Sequence, residues 1–235
     1  MPRTQFSWIP RIKPRKRCWR KCLRWWRSAV LGWVADRIRD FLYAILVSLA
    51  TPIVFLLFRL SVRGKPHPQG IVVAPHRSYW DIPILCVAFG PFRRIVFLAR
   101  RGILRNPAFA PFVWGFAVVI NRENFGLRDF RKAMRAAKRA RWIGIFPEGT
   151  TRPGAKPKPG AIRFAELLGL PFIPVRLVPK GPYPPRPRWR FPKVEVRIGE
   201  PFTVEDLAQG LPPDLPKSER YRLLSQRLME RILSL

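Results

Sequence analysis

The run Phe41–Phe58 carries no charged side chain, and at roughly 18 residues it reaches the shortest length that spans a bilayer core. Arg59 and Arg63 close the run and Pro52 interrupts it. Such a segment has to leave water, either into lipid or against a large apolar face. Because proline removes a helical hydrogen bond, the run reads as two apolar helices dipping into one leaflet, with a single transmembrane helix and a buried core helix as the alternatives. Before it, tryptophan is interleaved with basic side chains, as in Cys18–Trp19–Arg20–Lys21 and Arg24–Trp25–Trp26–Arg27, a mixture suited to the lipid headgroup zone. A cleaved signal peptide is not expected, since the basic stretch is too long and no small-residue cleavage site follows the apolar run.

Charge narrows the partners. With 45 basic against 14 acidic residues the formal net charge is +31, far beyond what solubility requires, so the partners should be polyanionic. Anionic membrane lipid and nucleic acid both qualify by charge, and the apolar run selects lipid over nucleic acid. The basic flank predicts the cytoplasmic side of a cell membrane. A chain of 235 residues with 48% apolar content buries one substantial core. The expected division is 1–63, basic, Trp-rich and apolar membrane-associating helices, followed by a catalytic domain over 64–235.

Within that domain, apolar strands are expected at Ile71–Ala74, Ile95–Ala99, Val118–Ile120, Ile143–Phe146 and Phe172–Val178, alternating with helical stretches at Ile82–Ala88, Arg128–Arg139 and Ala161–Leu168. This alternation predicts an α/β fold, a single domain with a central mixed, largely parallel sheet covered by helices, preceded by the N-terminal membrane-associated helical segment. Arg128–Arg139 is so basic that its exposed face is read as solvated or headgroup-facing, not catalytic. Pro179–Pro192 reads as an extended surface excursion, Val194–Ile198 as a late strand that could lie at an edge, and residues from about Lys217 to Leu235 as a helix.

The chain has two histidines, and one opens the string His76–Arg77–Ser78–Tyr79–Trp80–Asp81. A histidine and a carboxylate held together at the end of a buried strand can strip a proton from a hydroxyl near neutral pH. Five positions along a regular helix leave two side chains roughly 140° apart, so His76 and Asp81 meet only if the chain bends between them. Pro75 ends the strand, and Pro83 suits the first turn of a helix that starts near Asp81. Asp81 has a second reading as the N-cap of that helix. His67, between Pro66 and Pro68, sits in a linker without an assigned role.

A second string, Phe146–Pro147–Glu148–Gly149–Thr150–Thr151–Arg152–Pro153–Gly154, follows another short buried strand. It offers glycine for close backbone approach, hydroxyls including that of Thr150, backbone amides and a guanidinium, which together suit a phosphate-bearing ligand.

Together the strings resemble the glycerophospholipid acyltransferase family, in which an H-x4-D block and an F-P-E-G-T block recur in this order and at about this separation. Two further blocks extend the likeness over roughly Gly70 to Phe202. Leu98–Ala99–Arg100–Arg101 with Gly115–Arg122 resembles the second block, and Gly169–Val175 the fourth. The resemblance implies His76 as general base and Asp81 as the group that orients it. It places Arg122, Glu148, Gly149 and Arg152 in the acceptor site, Thr150 among the substrate-binding groups of the same loop, and Arg100 close to the substrates. Lys158, followed by Gly160 and Ala161, matches a basic residue and glycine found after this loop in the family. Three departures bear on acceptor identity: Asn121 where aspartate is frequent, Arg100 where lysine is usual, and Arg152 one place later than in the commonest form.

The implied reaction moves a fatty acyl group from a thioester to the free hydroxyl of 1-acylglycerol-3-phosphate, or of another lysophospholipid or hydroxylated glycolipid. The thioester, acyl-CoA or acyl carrier protein, is a co-substrate, and no cofactor or metal is expected. Ser78 lies near His76, but the G-x-S-x-G elbow of serine acyl transfer is absent. Cys18, Cys22 and Cys86 lack histidines at zinc-ligand spacing.

Overall fold

A computed structural model of the chain describes residues 16–100, 116–120, 127–187 and 189–235. The chain divides into two compact units, Met1–Ile38 and Arg39–Leu235. The second is built on a seven-stranded sheet formed by β1 (Ser61–Arg63), β2 (Gly70–Val73), β3 (Ile95–Arg100), β4 (Ala117–Ile120), β5 (Trp142–Ile145), β6 (Phe172–Lys180) and β7 (Lys193–Ile198). The spatial order is β1-β7-β6-β2-β5-β3-β4. Every neighbouring pair is parallel except β6 and β7, which are antiparallel. The expected mixed, largely parallel α/β sheet is present.

Its central strands are continuous apolar runs, as strands buried on both faces must be. Residues alternate between two cores. Ile71, Val73, Ile143, Ile145 and Phe172 belong to one, which includes buried side chains from α3 (Leu127–Arg139), α4 (Gly160–Leu168), α5 (Val204–Ala208) and α6 (Lys217–Leu233). Val72, Phe97, Trp142, Ile173 and Val175 belong to the other, with α2 (Asp81–Phe89) and the C-terminal part of α1 (Lys16–Phe58). Helix α5 opens on a reciprocal capping box between Thr203 and Asp206.

The N-terminal apolar run differs from the two-helix expectation. Helix α1 continues through Pro52 to Phe58. Proline deprives the Ser48 carbonyl of its helical donor, yet one missing bond does not break a helix whose next turn is fixed by packing. Val54 and Phe58 lie in the core beyond the proline, as Tyr43 and Val47 do before it. Burying four such side chains contributes about 1.5–3 kcal/mol each. Further anchors are an ion pair from Arg94 Nε to Asp40 Oδ1 (2.6 Å) and a hydrogen bond from the Tyr43 hydroxyl to the Arg93 carbonyl (3.4 Å). Much of the remaining circumference is apolar and exposed, with Phe41 and Leu49 at 66% and Leu56 at 79%. The 29-residue stretch Val30–Phe58 is long and apolar enough to cross a membrane, and only 22% of its most apolar window is buried, so it is not a core helix throughout.

Two other elements depart from the sequence reading. β7 is not an edge strand, because β1 pairs with it from Ser61↔Glu195 to Arg63↔Arg197. Three residues are too few to carry a readable alternation, and Arg63 secures them through Glu195 (3.2 Å). The proline-rich stretch after Lys180 is not solely a surface excursion, since it carries the half-buried Tyr183 into contact with Asp81.

Candidate active site

β2 and β5 are adjacent and parallel, with Val73 opposite Ile145, so the loops that leave their C-terminal ends emerge side by side. The connection after β2 runs through α2 to β3, whereas that after β5 runs through α4 to β6 on the opposite face. Diverging connections leave a crevice at the strand ends, where open α/β sheets bind ligands. Both motif strings lie there.

The bend between His76 and Asp81 comes from the backbone. α2 begins at Asp81, with Trp80 as the flanking residue and no side-chain cap. Asp81 is therefore not an N-cap. Its carboxylate points backward, and Oδ2 accepts the N–H groups of Arg77 (2.7 Å) and Ser78 (2.9 Å). These bonds curl the turn over the carboxylate and bring His76 Nδ1 to 2.9 Å from the same oxygen. The Ser78 hydroxyl is occupied in the turn, where it accepts the Trp80 N–H (3.2 Å). Further along α2 the fully packed Cys86 thiol is pushed up to about 12 by burial.

Because Oδ2 already accepts two backbone donors, it also acts as an acceptor toward His76, which places a proton on Nδ1, so that in the neutral imidazole the free lone pair is on Nε2. Asp81 is 1% exposed. Its other oxygen, Oδ1, accepts the Tyr183 hydroxyl at 2.5 Å. Burial, and then the neighbouring Asp81 charge, push the Tyr183 phenol far above its ordinary range, so it remains a protonated donor.

Two contacts set the imidazole against the second loop. The Phe146 ring stacks on His76, with centroids 4.1 Å apart and planes 14° apart. Glu148 Oε2 accepts the His76 backbone N–H at 2.8 Å, so its carboxylate joins the two loops. Gly149 has φ of 67°, in the left-handed region where glycine is favoured, and its N–H returns to the Phe146 carbonyl at 3.0 Å. The half-buried Thr150 accepts the Arg152 N–H through its hydroxyl (3.3 Å), and the Arg152 side chain is exposed. Lys158 donates its N–H to the Pro147 carbonyl (2.9 Å), closing the far end of the loop.

Of the expected site residues, His76, Asp81, Glu148, Gly149, Thr150 and Arg152 therefore come from two neighbouring strand ends. Arg100 ends β3, one strand beyond β5, and its side chain lies outside what is described; Arg122 and Asn121 lie outside the described residues. Tyr183 was not anticipated, because it lies 102 positions from Asp81 in a segment whose readable signals were proline and basic residues. No cluster of metal-ligating side chains occurs among the described residues.

A strand-end histidine held by a buried carboxylate, beside a second loop joined to it by glutamate, defines the same class that the paired strings resemble. The model of the Acyltransferase family matches residues 59–178, and the chain belongs to that family, the glycerophospholipid acyltransferases. It is 27% identical over 142 residues to a 1-acyl-sn-glycerol-3-phosphate acyltransferase of Streptococcus pneumoniae, covering 58% of this chain and 51% of that protein. A protein of the same name from Pseudomonas aeruginosa is 28% identical over 162 residues, covering 63% and 60%. The chain thus aligns with about half to three-fifths of the length of these relatives. The crystal structure of the 1-acyl-sn-glycerophosphate (LPA) acyltransferase PlsC from Thermotoga maritima superposes with a TM-score of 0.58 at 20% identity, covering 89% of this chain and 88% of that one. The likeness establishes the shared fold.

Proposed function

We propose that the protein is a membrane-bound O-acyltransferase that moves a fatty acyl group from an acyl thioester to the free hydroxyl of 1-acylglycerol-3-phosphate, giving phosphatidic acid. The observation that carries this reading is the 2.9 Å bond between His76 Nδ1 and Asp81 Oδ2, which leaves Nε2 as the proton acceptor. The names of the two sequence relatives supply the acceptor class.

In this reading the acceptor hydroxyl gives its proton to His76 Nε2 as its oxygen attacks the thioester carbonyl. Asp81 stabilises the imidazolium that forms and does not itself take the proton. The tetrahedral intermediate then collapses, the C–S bond breaks, and the departing thiolate recovers the proton from His76. No covalent acyl-enzyme is needed. The loop from Glu148 to Arg152, together with Arg122 and Arg100, would hold the acceptor's phosphate and glycerol. Acyl-CoA or acyl carrier protein would supply the acyl group, and both are anionic, as are the membrane lipids expected to hold the +31 chain. The exposed apolar side of α1 supports membrane attachment, and the basic flank before it would put the catalytic unit on the cytoplasmic face.

A second acceptor, another lysophospholipid or a hydroxylated glycolipid, is favoured by two local departures from the family pattern: Asn121 before Arg122, and the late position of Arg152. An acceptor panel separates the two readings. The purified protein is given one acyl thioester with lysophosphatidic acid, lysophosphatidylethanolamine, lysophosphatidylglycerol or a hydroxylated glycolipid, and thiol release is measured. Selective turnover of lysophosphatidic acid supports the first reading. Turnover confined to another member of the panel would replace it with the second.

A further inference from the structure

The hydrogen bonds to Asp81 are unequally divided. Three converge on Oδ2, from His76, Arg77 and Ser78, and Oδ1 accepts the Tyr183 hydroxyl. Tyr183 comes from the return loop between β6 and β7, and its ring lies edge-on to Phe58 of α1, centroids 6.4 Å apart. A residue from a remote loop therefore holds the far end of the carboxylate that supports the base.

We propose that Tyr183 is a positioning residue of the acyl transfer, fixing the plane of the Asp81 carboxylate and setting how strongly that carboxylate supports the His76 imidazolium. The proposal rests on the reading of His76 as general base. Its physical content has two parts. A donor at each end of a carboxylate resists rotation about the Cβ–Cγ bond, so Oδ2 stays aligned with Nδ1. The hydroxyl also draws negative charge toward Oδ1, which leaves less of it at Oδ2 to stabilise a proton on His76. The hydroxyl therefore governs both the alignment of Oδ2 and the charge it presents to Nδ1.

The groups around His76 allow this effect to be isolated. Asp81 faces Nδ1 from α2, Glu148 meets the backbone N–H from the loop after β5, and the Tyr79 ring stands 6.5 Å away. Arg77 and Arg176 line a small cleft beside Asp81 together with Tyr183. Removing the Tyr183 hydroxyl leaves all of the others in place, and phenylalanine retains the ring that meets Phe58.

The test exploits the scarcity of histidine. The chain has two, and His67 bonds within its own linker, Nδ1 to the Gln69 carbonyl at 2.8 Å. Histidine labelled with 13C therefore gives one reporting resonance and one internal reference. Three proteins are titrated by NMR: the parent, Tyr183→Phe, and the chain carrying 3-fluorotyrosine at position 183, whose hydroxyl is a stronger donor. The His76 midpoint is expected to rise in Tyr183→Phe and to fall with the fluorinated ring, while His67 stays in place. The acid limb of kcat/KM should move in the same directions, with kcat about tenfold lower in Tyr183→Phe. A His76 midpoint unmoved by either change would overturn the proposal, and the fluorinated protein decides the matter if Tyr183→Phe does not fold. The titration needs no substrate. Failure of the acceptor panel would therefore remove the proposed function while the role of Tyr183 is still decided.

Discussion

The Phe146 ring lies 4.1 Å from that of His76 and within 14° of parallel to it. Phe146 in turn stacks on Phe97, at 5.7 Å and 12°. His76 after β2, Phe146 after β5 and Phe97 in the middle of β3 thus form one pile of three rings. Phe97 is opposite Gly144 in the β3–β5 ladder, and a Cβ at Gly144 would come within 2.3 Å of the Phe97 ring.

Gly144→Ala is therefore expected to tilt the pile. Overpacking a well-filled core costs about 1–3 kcal/mol, and a reacting group displaced by about 1 Å slows turnover by up to about a hundredfold. Thermal unfolding and kcat should both fall. An alanine variant with parent-like melting and turnover would show that the stack does not position His76.

Glu148 is expected to act on His76 through a hydrogen bond. A bond to a charged acceptor is worth about 1.5–3 kcal/mol, so Glu148→Ala should loosen the first loop and lower kcat/KM by at least about tenfold. Glu148→Gln retains an acceptor oxygen and should recover most of the loss. Equal damage by both substitutions would assign the role to the carboxylate charge.

Stability should fall in alkali. Burial raises the Cys86 thiol from 9.0 to about 12, and Tyr183 is raised in the same sense. Above pH 9 the unfolded chain releases the Cys86 proton while the folded chain keeps it. Unfolding is then favoured as pH rises, by up to about 1.4 kcal/mol per pH unit for each such proton. The effect is absent below the unfolded value and complete at the folded one. Urea midpoints between pH 8 and 11 should decline, and less steeply in Cys86→Ala; a flat profile in the parent would contradict the assignment.

The outward side of α1 should carry membrane binding. Phe41, Leu49 and Leu56 are exposed, whereas Tyr43, Val47, Val54 and Phe58 pack into the core. Replacing the first three with serine should release the protein from phosphatidylglycerol-containing liposomes in a flotation assay without unfolding it. For the parent, high salt should weaken capture without abolishing it, because salt screens the charge but not the apolar burial. Undiminished flotation of the triple variant would exclude this face as the anchor.

The sheet and both motif loops were legible because buried parallel strands are short apolar runs punctuated by proline and glycine, as at Ile71–Pro75 and Ile143–Pro147. The choice between N-cap and partner for Asp81 was not. It depends on whether the carboxylate bonds forward into the helix or backward to Arg77 and Ser78, and the residue order is the same in either case. Continuation of α1 through Pro52 was hidden for a related reason: local propensity favours a break, and Val54 and Phe58 hold the next turn only because the core is there to receive them. Tyr183 had no sequence signal, since its partner is brought near by the antiparallel return from β6 to β7. β1 was too short to be read.

The central claim, that His76 is the base for acyl transfer to a lipid hydroxyl, is tested most directly by thiol release from an acyl thioester in detergent or liposomes with lysophosphatidic acid, comparing the parent with His76→Ala. The account predicts acceptor-dependent turnover in the parent and a loss of about a thousandfold in a variant that retains the parent's melting transition. A folded His76→Ala protein turning over at the parent's rate would contradict it.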